Sequence, residues 1–111
     1  ELPYEEHPRV SARRVVTEYR RDAAVAEGQH QGMSYVMDGK VEEAGKDDSG
    51  VAFVTFAVGR GLLRCVFEVI TEAELSRLMP GGSNAVVGTI ESFDVDSLTV
   101  HAKECRLVKG F

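Results

Sequence analysis

Five stretches of alternating apolar and polar residues constrain this chain more than any other feature of its sequence. They cover residues 33–44, 51–58, 62–70, 84–95 and 98–108. A period of two is typical of a half-buried β-strand. Turn-forming sequences follow the first two stretches, at residues 45–50 (GKDDSG) and 59–61 (GRG). The sequence therefore predicts five short strands, with a tight hairpin between the second and the third.

An amphipathic helix is predicted before the first strand. Its apolar stripe consists of Val15 (or Val16), Tyr19, Ala23 and Ala26. Ser11 is suited to cap the start of this helix and Gly28 to end it, which places the helix at about residues 11–28. Residues 1–10, which hold two prolines, are predicted to form an extended leader. The sequence does not begin with Met and has no signal-peptide pattern, so we expect an excised or mature segment.

A second, short helix is predicted between the third and fourth strands. Thr71 and Glu74 have the spacing of a capping box, and Pro80 ends the helix. Five strands with a helix between the third and fourth is the layout of the OB-fold, a five-stranded Greek-key barrel. Gly39 in mid-strand and a change of alternation near residues 102–104 predict the bend and bulge that barrel closure requires. We predict a mainly β OB-fold domain over residues 11–111, with an open five-stranded α+β sheet as the alternative.

The predicted core combines the helix stripe with the inward side chains of the strands. Its members are Val15, Val16, Tyr19, Ala23, Ala26, Val41, Val54, Phe56, Leu63, Phe67, Val86, Ile90 and Leu107. Composition excludes several other classes of protein. The net charge of −5 argues against a generic basic nucleic-acid binder, and no apolar run is long enough for a transmembrane helix.

Several short motifs resemble the bacterial tRNA anti-like family of OB-fold domains. Residues 19–26 (YRRDAAVA) and 37–41 (MDGKV) resemble the family's opening helix and its G-x-V first strand. Residues 64–67 (RCVF) and 104–107 (ECRL) are similar to its third and fifth strands, and residues 78–81 (LMPG) fit its junction into the fourth. The resemblance implies an OB-fold and the class of binding modules. It also implies a location in the bacterial envelope, as a periplasmic, secreted or lipid-anchored protein, with the cytoplasm as the alternative.

The usual OB-fold ligand face is formed by the second and third strands and the loops beside them. Candidate ligand-binding residues there are Phe53, Arg60, Arg64, Asp47, Asp48, Asp94 and Asp96. An exposed Phe53 would be a base-stacking ring, but we expect it to pack beneath the N-terminal helix. Carboxylates in the two loops would repel phosphate, which disfavours nucleic acid. They could also ligate Ca²⁺, but turn formation is the simpler interpretation.

The predicted helix carries a basic face made of Arg13, Arg14, Arg20 and Arg21. This face could receive an anionic partner, either a lipid surface or an acidic protein. The simpler interpretation is a solvated helix face on which Arg14 pairs with Glu18.

Cys65 and Cys105 fall on inward positions of neighbouring strands, so either a disulfide or two buried thiols would fit there. Their spacing is not that of a zinc site, and the sequence predicts no metal and no cofactor. No nucleophile has a base at a recognisable spacing; His30 lies in a predicted connector and His101 on an outward strand position.

We therefore predict a non-catalytic module that recognises a protein or peptide, in contact with a membrane only through an anchor outside this segment. A single-stranded nucleic-acid binder using Phe53, Arg60 and Arg64 is the alternative. A purely structural part of a longer polypeptide is a third.

Overall fold

The computed structural model describes residues 7–108. Its elements are β1 (Arg9–Ser11), α1 (Ala12–Arg21), α2 (Ala23–His30), β2 (Ser34–Lys46), β3 (Ala52–Val58), β4 (Gly61–Phe67), α3 (Glu72–Ser76), β5 (Ser83–Asp94) and β6 (Thr99–Leu107). The five predicted strands are β2 to β6. They pair in the order β2-β3-β4-β6-β5, and β5 returns to pair with β2. β4 and β6 run parallel, whereas the other pairs within this barrel are antiparallel. The closed five-stranded barrel confirms the predicted OB-fold and leaves no place for the open sheet.

Register shifts allow the strands to curl, one each in the β2–β3 and β4–β6 pairs and two in the β5–β6 pair. The pairing of β2 with β3 shifts between Val41 and Glu43, and the pairing of β4 with β6 shifts between Cys65 and Phe67. On β6 the shift coincides with Glu104, which has a φ of 55°. The bulge predicted near residues 102–104 is therefore present. The predicted irregularity at Gly39 lies instead beyond Val41, where the extra residue on β2 increases strand bending.

Gly39 has a different role, which is to let the N-terminal helix approach the barrel. A Cβ atom built at this position would lie 3.1 Å from the Cβ of Ala12 and 3.3 Å from the Cβ of Phe56. The same principle applies more strongly at Gly61, where an added Cβ would lie 2.4 Å from Cγ1 of Val16. The start of α1 and its apolar side thus pack closely against the strands because both contact positions lack a side chain.

The predicted single helix over residues 11–28 is two helices. Asp22 takes an extended conformation between them, with φ −158° and ψ 96°. Its side chain accepts a hydrogen bond from the backbone N–H of Val25, so Asp22 both ends α1 and caps α2. Ser11 caps α1 as predicted, by accepting from the N–H of Arg14. The helical region continues past Gly28 to His30, because nothing at Gly28 requires a left-handed residue.

The remaining elements follow the predicted pattern with small changes of boundary. Thr71 and Glu74 form the capping box of α3. The predicted leader falls largely outside the described residues, and its last part forms β1, which pairs in parallel with β2.

All but two of the predicted core side chains are buried; Ala23 and Leu107 are half-buried. Within residues 7–108, no helix is long and apolar enough to cross a membrane.

Candidate ligand-binding face

The outer face of β3 and β4 lies between the turn that follows β2 and the turn that follows β5. Alternation places Val54, Phe56, Leu63 and Cys65 in the barrel core. The intervening residues therefore point outward. They are Phe53, Thr55 and Ala57 on β3, and Leu62, Arg64 and Val66 on β4. We call these six residues the β3–β4 face.

Phe53 and Arg64 form the centre of the β3–β4 face. Phe53 lies opposite Val66, and Arg64 lies opposite Thr55, so the two side chains are diagonal neighbours. The Arg64 guanidinium carbon sits 4.0 Å from the centroid of the Phe53 ring, a cation–π contact. Phe53 is only 7% exposed as a result of its packing.

The expected burial of Phe53 is present, but its expected cover is not the one observed. The structure places the Arg64 guanidinium over the ring, whereas α1 packs at the other end of these strands, beside Gly61. Sequence parity identified Phe53 as outward-facing. It could not identify the cover, because cross-strand pairing depends on a register that alternation alone does not fix.

Basic side chains extend from Arg64 toward the N-terminal helix. His101 on β6 lies directly opposite Arg64 on β4. Arg60 is exposed in the turn between β3 and β4, and the aliphatic part of Arg20 lies beside Gly61 in the same region. The structure thus brings Arg20 of the predicted basic helix face near Arg60 of the predicted ligand face, which the sequence did not suggest.

The acidic residues predicted to border this face lie in two turns at its opposite ends. Asp47 follows β2 and borders the start of β3. Asp94 ends β5, and the turn that follows it lies at the start of β4, because the Leu98 carbonyl in that turn accepts a hydrogen bond from the backbone N–H of Leu62. All four acidic side chains, Asp47, Asp48, Asp94 and Asp96, are exposed.

Asp47 and Asp94 have structural roles in these turns. The Asp47 carboxylate accepts from the N–H groups of Ser49 and Val51 at 2.9 and 3.0 Å. The Asp94 carboxylate accepts from Asp96 N–H at 2.9 Å, a bond that holds the pKa of Asp94 below its usual value. Turn formation therefore accounts for both residues. No group of three or more His, Cys, Asp or Glu side chains among residues 7–108 is arranged to hold a metal ion.

The predicted basic helix face is on the outer side of α1. Arg13, Arg14, Arg20 and Arg21 are all exposed. The expected pair between Arg14 and Glu18 is present, with Nε 3.2 Å from the carboxylate.

A buried hydrogen-bonded chain joins the two N-terminal helices to the barrel. Nε2 of His30 lies 2.5 Å from Oε1 of Glu18, and Nδ1 of His30 lies 2.7 Å from the Tyr35 hydroxyl. A neutral imidazole satisfies both contacts, with Nε2–H donating to Glu18 and the Tyr35 hydroxyl donating to Nδ1. The bond to His30 is the main cause that lowers the pKa of Glu18.

This hydrogen-bonded chain was not predicted, because the predicted helix ended at Gly28 and left His30 in a connector. His30 is the last residue of α2 and is 7% exposed. The signal was present in the sequence: Tyr19, Ala23, Ala26 and His30 continue one helical stripe at spacings of four, three and four residues. Extending the helix past Gly28 would have placed His30 at the core.

Cys65 and Cys105 are free thiols in the structure, and both are fully buried. Burial raises the pKa of the Cys65 thiol well above its ordinary value, and Cys105 contributes by hydrogen bonding with it. Cys105 also packs against Gly88, where an added Cβ would lie 2.4 Å from its sulfur. The two thiols serve as small core side chains between β4, β5 and β6.

Comparison with solved structures identifies the same fold in proteins of distant sequence. One is a "putative nucleic acid-binding lipoprotein" from Klebsiella pneumoniae, with 17% identity and a TM-score of 0.68, covering 91% of this chain and 92% of that one. Another is a "putative aspartyl-tRNA synthetase" from Leishmania major, with 12% identity and a TM-score of 0.55. That match covers 97% of this chain but 22% of the other. At these identities the likeness establishes the OB-fold alone. No protein-family model and no curated protein matches the chain.

Proposed function

We propose that this protein is a non-catalytic OB-fold binding module that recognises a protein or peptide through its β3–β4 face. The observation that carries the proposal is the burial of Phe53 beneath Arg64. Its ring is covered by the Arg64 guanidinium and is 7% exposed. Single-stranded nucleic-acid binders use exposed aromatic rings on which bases stack. On this face the ring instead supports an arginine.

The composition of the β3–β4 face also suits a protein partner. Ala57, Leu62 and Val66 are half-exposed and apolar around the central Arg64. Protein interfaces have an apolar centre in which arginine and aromatic residues contribute most of the binding energy, surrounded by a polar rim. The acidic turns at the two ends would form part of that rim and would favour a partner with basic residues at matching positions. The resemblance of several motifs to the tRNA anti-like family supports extending the proposal to a bacterial envelope protein.

Selection from a random-peptide display library on the immobilised protein tests this proposal. We expect peptides that bind wild type and lose at least roughly tenfold in affinity with Arg64→Ala, as for truncation of an interface arginine. Arg77→Ala is the matched control, because Arg77 is an exposed arginine that directly follows α3 and belongs to neither β3 nor β4. If the selected peptides bind both variants with the affinity of wild type, recognition lies elsewhere and the β3–β4 face is not the binding surface.

Single-stranded nucleic acid is a second candidate, which a separate observation favours. His101 of β6 lies beside the central Arg64, and Arg60 is exposed in the turn between β3 and β4, with Arg20 nearby. An arginine plane can itself stack on a base, provided that Arg64 can leave Phe53 or carry the base above it.

Fluorescence-polarisation titration with mixed-sequence DNA and RNA oligonucleotides at low and physiological salt tests whether the protein binds single-stranded nucleic acid. Saturable binding that weakens steeply with salt and is lost with Arg64→Ala would support it. Absence of binding at low salt, where attraction to phosphate is strongest, would remove it.

A further inference from the structure

The charge of this protein is strongly segregated. Between Arg9 and Asp22 there are five arginines and two acidic residues, a local charge of +3 in a chain whose net charge is −5. The rest of the chain therefore carries −8. Residues 9–22 therefore attract anions locally, whereas the net negative charge of the whole molecule repels them.

A groove of about 360 Å³ runs along the basic side of α1. It is lined by Ser11, Arg13, Arg14, Thr17, Glu18 and Arg21. Five of these residues recur at spacings of three and four and so share one face of the helix. The groove is separate from the β3–β4 face, since it contains no residue of either strand.

The charges within the groove are not balanced. Glu18 is its only acidic residue, and its carboxylate already binds Arg14 at 3.2 Å and His30 at 2.5 Å. Arg13 and Arg21 form no ion pair with any residue in the described part of the chain. Two exposed guanidinium groups therefore border a groove whose one carboxylate is engaged by other residues.

We propose that this groove binds a phosphate group between Arg13 and Arg21. The guanidinium fork matches the oxygens of a phosphate and can donate two parallel hydrogen bonds to it. Thr17, one turn from each arginine, adds a hydroxyl donor. Free phosphate and a phospholipid headgroup share this chemistry, and the experiment below distinguishes them.

The first arm titrates the full chain with inorganic phosphate in low-salt buffer and follows backbone and arginine side-chain N–H signals by NMR. We expect saturable shifts centred on residues 11–21 and weakening of roughly tenfold in the Arg13→Gln/Arg21→Gln double variant. Arg77→Gln is the control, because it removes an exposed arginine at the end of α3, and it should bind phosphate as wild type does. Equal shifts with acetate, or shifts that the double variant leaves unchanged, would overturn the proposal.

The second arm measures co-sedimentation with phosphatidylcholine vesicles that contain phosphatidylglycerol. Binding that requires Arg13 and Arg21 would identify a lipid headgroup as the source, whereas phosphate binding without vesicle binding would identify a soluble phosphate. Failure with both probes at low salt would refute the site. Because the variants here leave Arg64 intact, failure of this site and failure of the proposed partner face give different results.

Discussion

At the scale of single residues, two buried tyrosines show what holds the helices to the barrel, and only one of them uses its hydroxyl. The Tyr35 hydroxyl bonds to His30, which in turn bonds to Glu18 on α1. The Tyr19 hydroxyl is the one buried side-chain N or O atom in residues 7–108 that has no hydrogen-bond partner. Its ring packs between His30 and Phe93, with centroids at 5.9 and 5.1 Å. Tyr19 therefore stabilises the fold through its ring, and Tyr35 also through its hydroxyl.

Replacing each tyrosine by phenylalanine should have different effects on the free energy of unfolding. Tyr35→Phe leaves Nδ1 of His30 without its partner and should cost about 1–3 kcal/mol. Tyr19→Phe removes an unsatisfied buried hydroxyl and should be neutral or stabilising. Urea denaturation of the two variants measures the difference. Equal destabilisation by both changes would contradict the proposed hydrogen-bond chain.

The Glu18–His30 bond should also appear in the pH dependence of stability. The pKa of Glu18 is lower in the folded protein than its ordinary value of 4.5, chiefly because of His30. Between the folded and unfolded pKa values the unfolded state binds more protons. The contribution of the Glu18 carboxylate to the free energy of unfolding is therefore complete above the unfolded pKa and is lost as pH falls through the folded pKa. Glu18→Gln should therefore be less stable than wild type near neutral pH, and the gap should narrow as the solution is acidified below pH 4.5. A gap of constant size across this range would show that Glu18 does not have the assigned role.

At the scale of elements, alternation and capping signals predicted the strands and α3, but two features were not predicted. The break at Asp22 was hidden because Tyr19, Ala23 and Ala26 keep their helical spacing across it. Gly39 indicated an irregular strand, yet it serves the approach of Ala12. The role of Gly39 could not be derived locally, since it requires knowing that α1 packs on β2 at this position.

A pair of glycine variants tests the packing of α1 against the barrel. Gly61→Ala would force a Cβ to 2.4 Å from Val16 and 2.9 Å from the Leu98 carbonyl, and should cost about 1–3 kcal/mol as overpacking. Gly28→Ala is the control: nothing lies within 4 Å of its added Cβ, and it sits in a helix. It should stabilise by up to about 1 kcal/mol. Thermal unfolding that ranked the two variants in the reverse order would refute the packing described for α1.

At the scale of the whole molecule, the buried core lies inside the barrel and the proposed ligand face lies on its outer surface. The core, including Cys65 and Cys105, is inside the strands, and the N-terminal helices cover one end. The OB layout was predictable because strand number and helix position leave few topologies. The covered state of Phe53 was not, because it depends on Arg64 of the neighbouring strand. The sequence alone therefore could not show how Phe53 is covered on the proposed ligand face.

Recognition of a peptide by the β3–β4 face is tested by mapping where a selected peptide binds, with ¹H–¹⁵N spectra of the full chain recorded during titration. We expect shifts at residues 53–57 and 62–66, loss of binding with Arg64→Ala, and no displacement of the peptide by a mixed-sequence oligonucleotide. Shifts confined to other strands, or displacement of the peptide by the oligonucleotide at physiological salt, would contradict it.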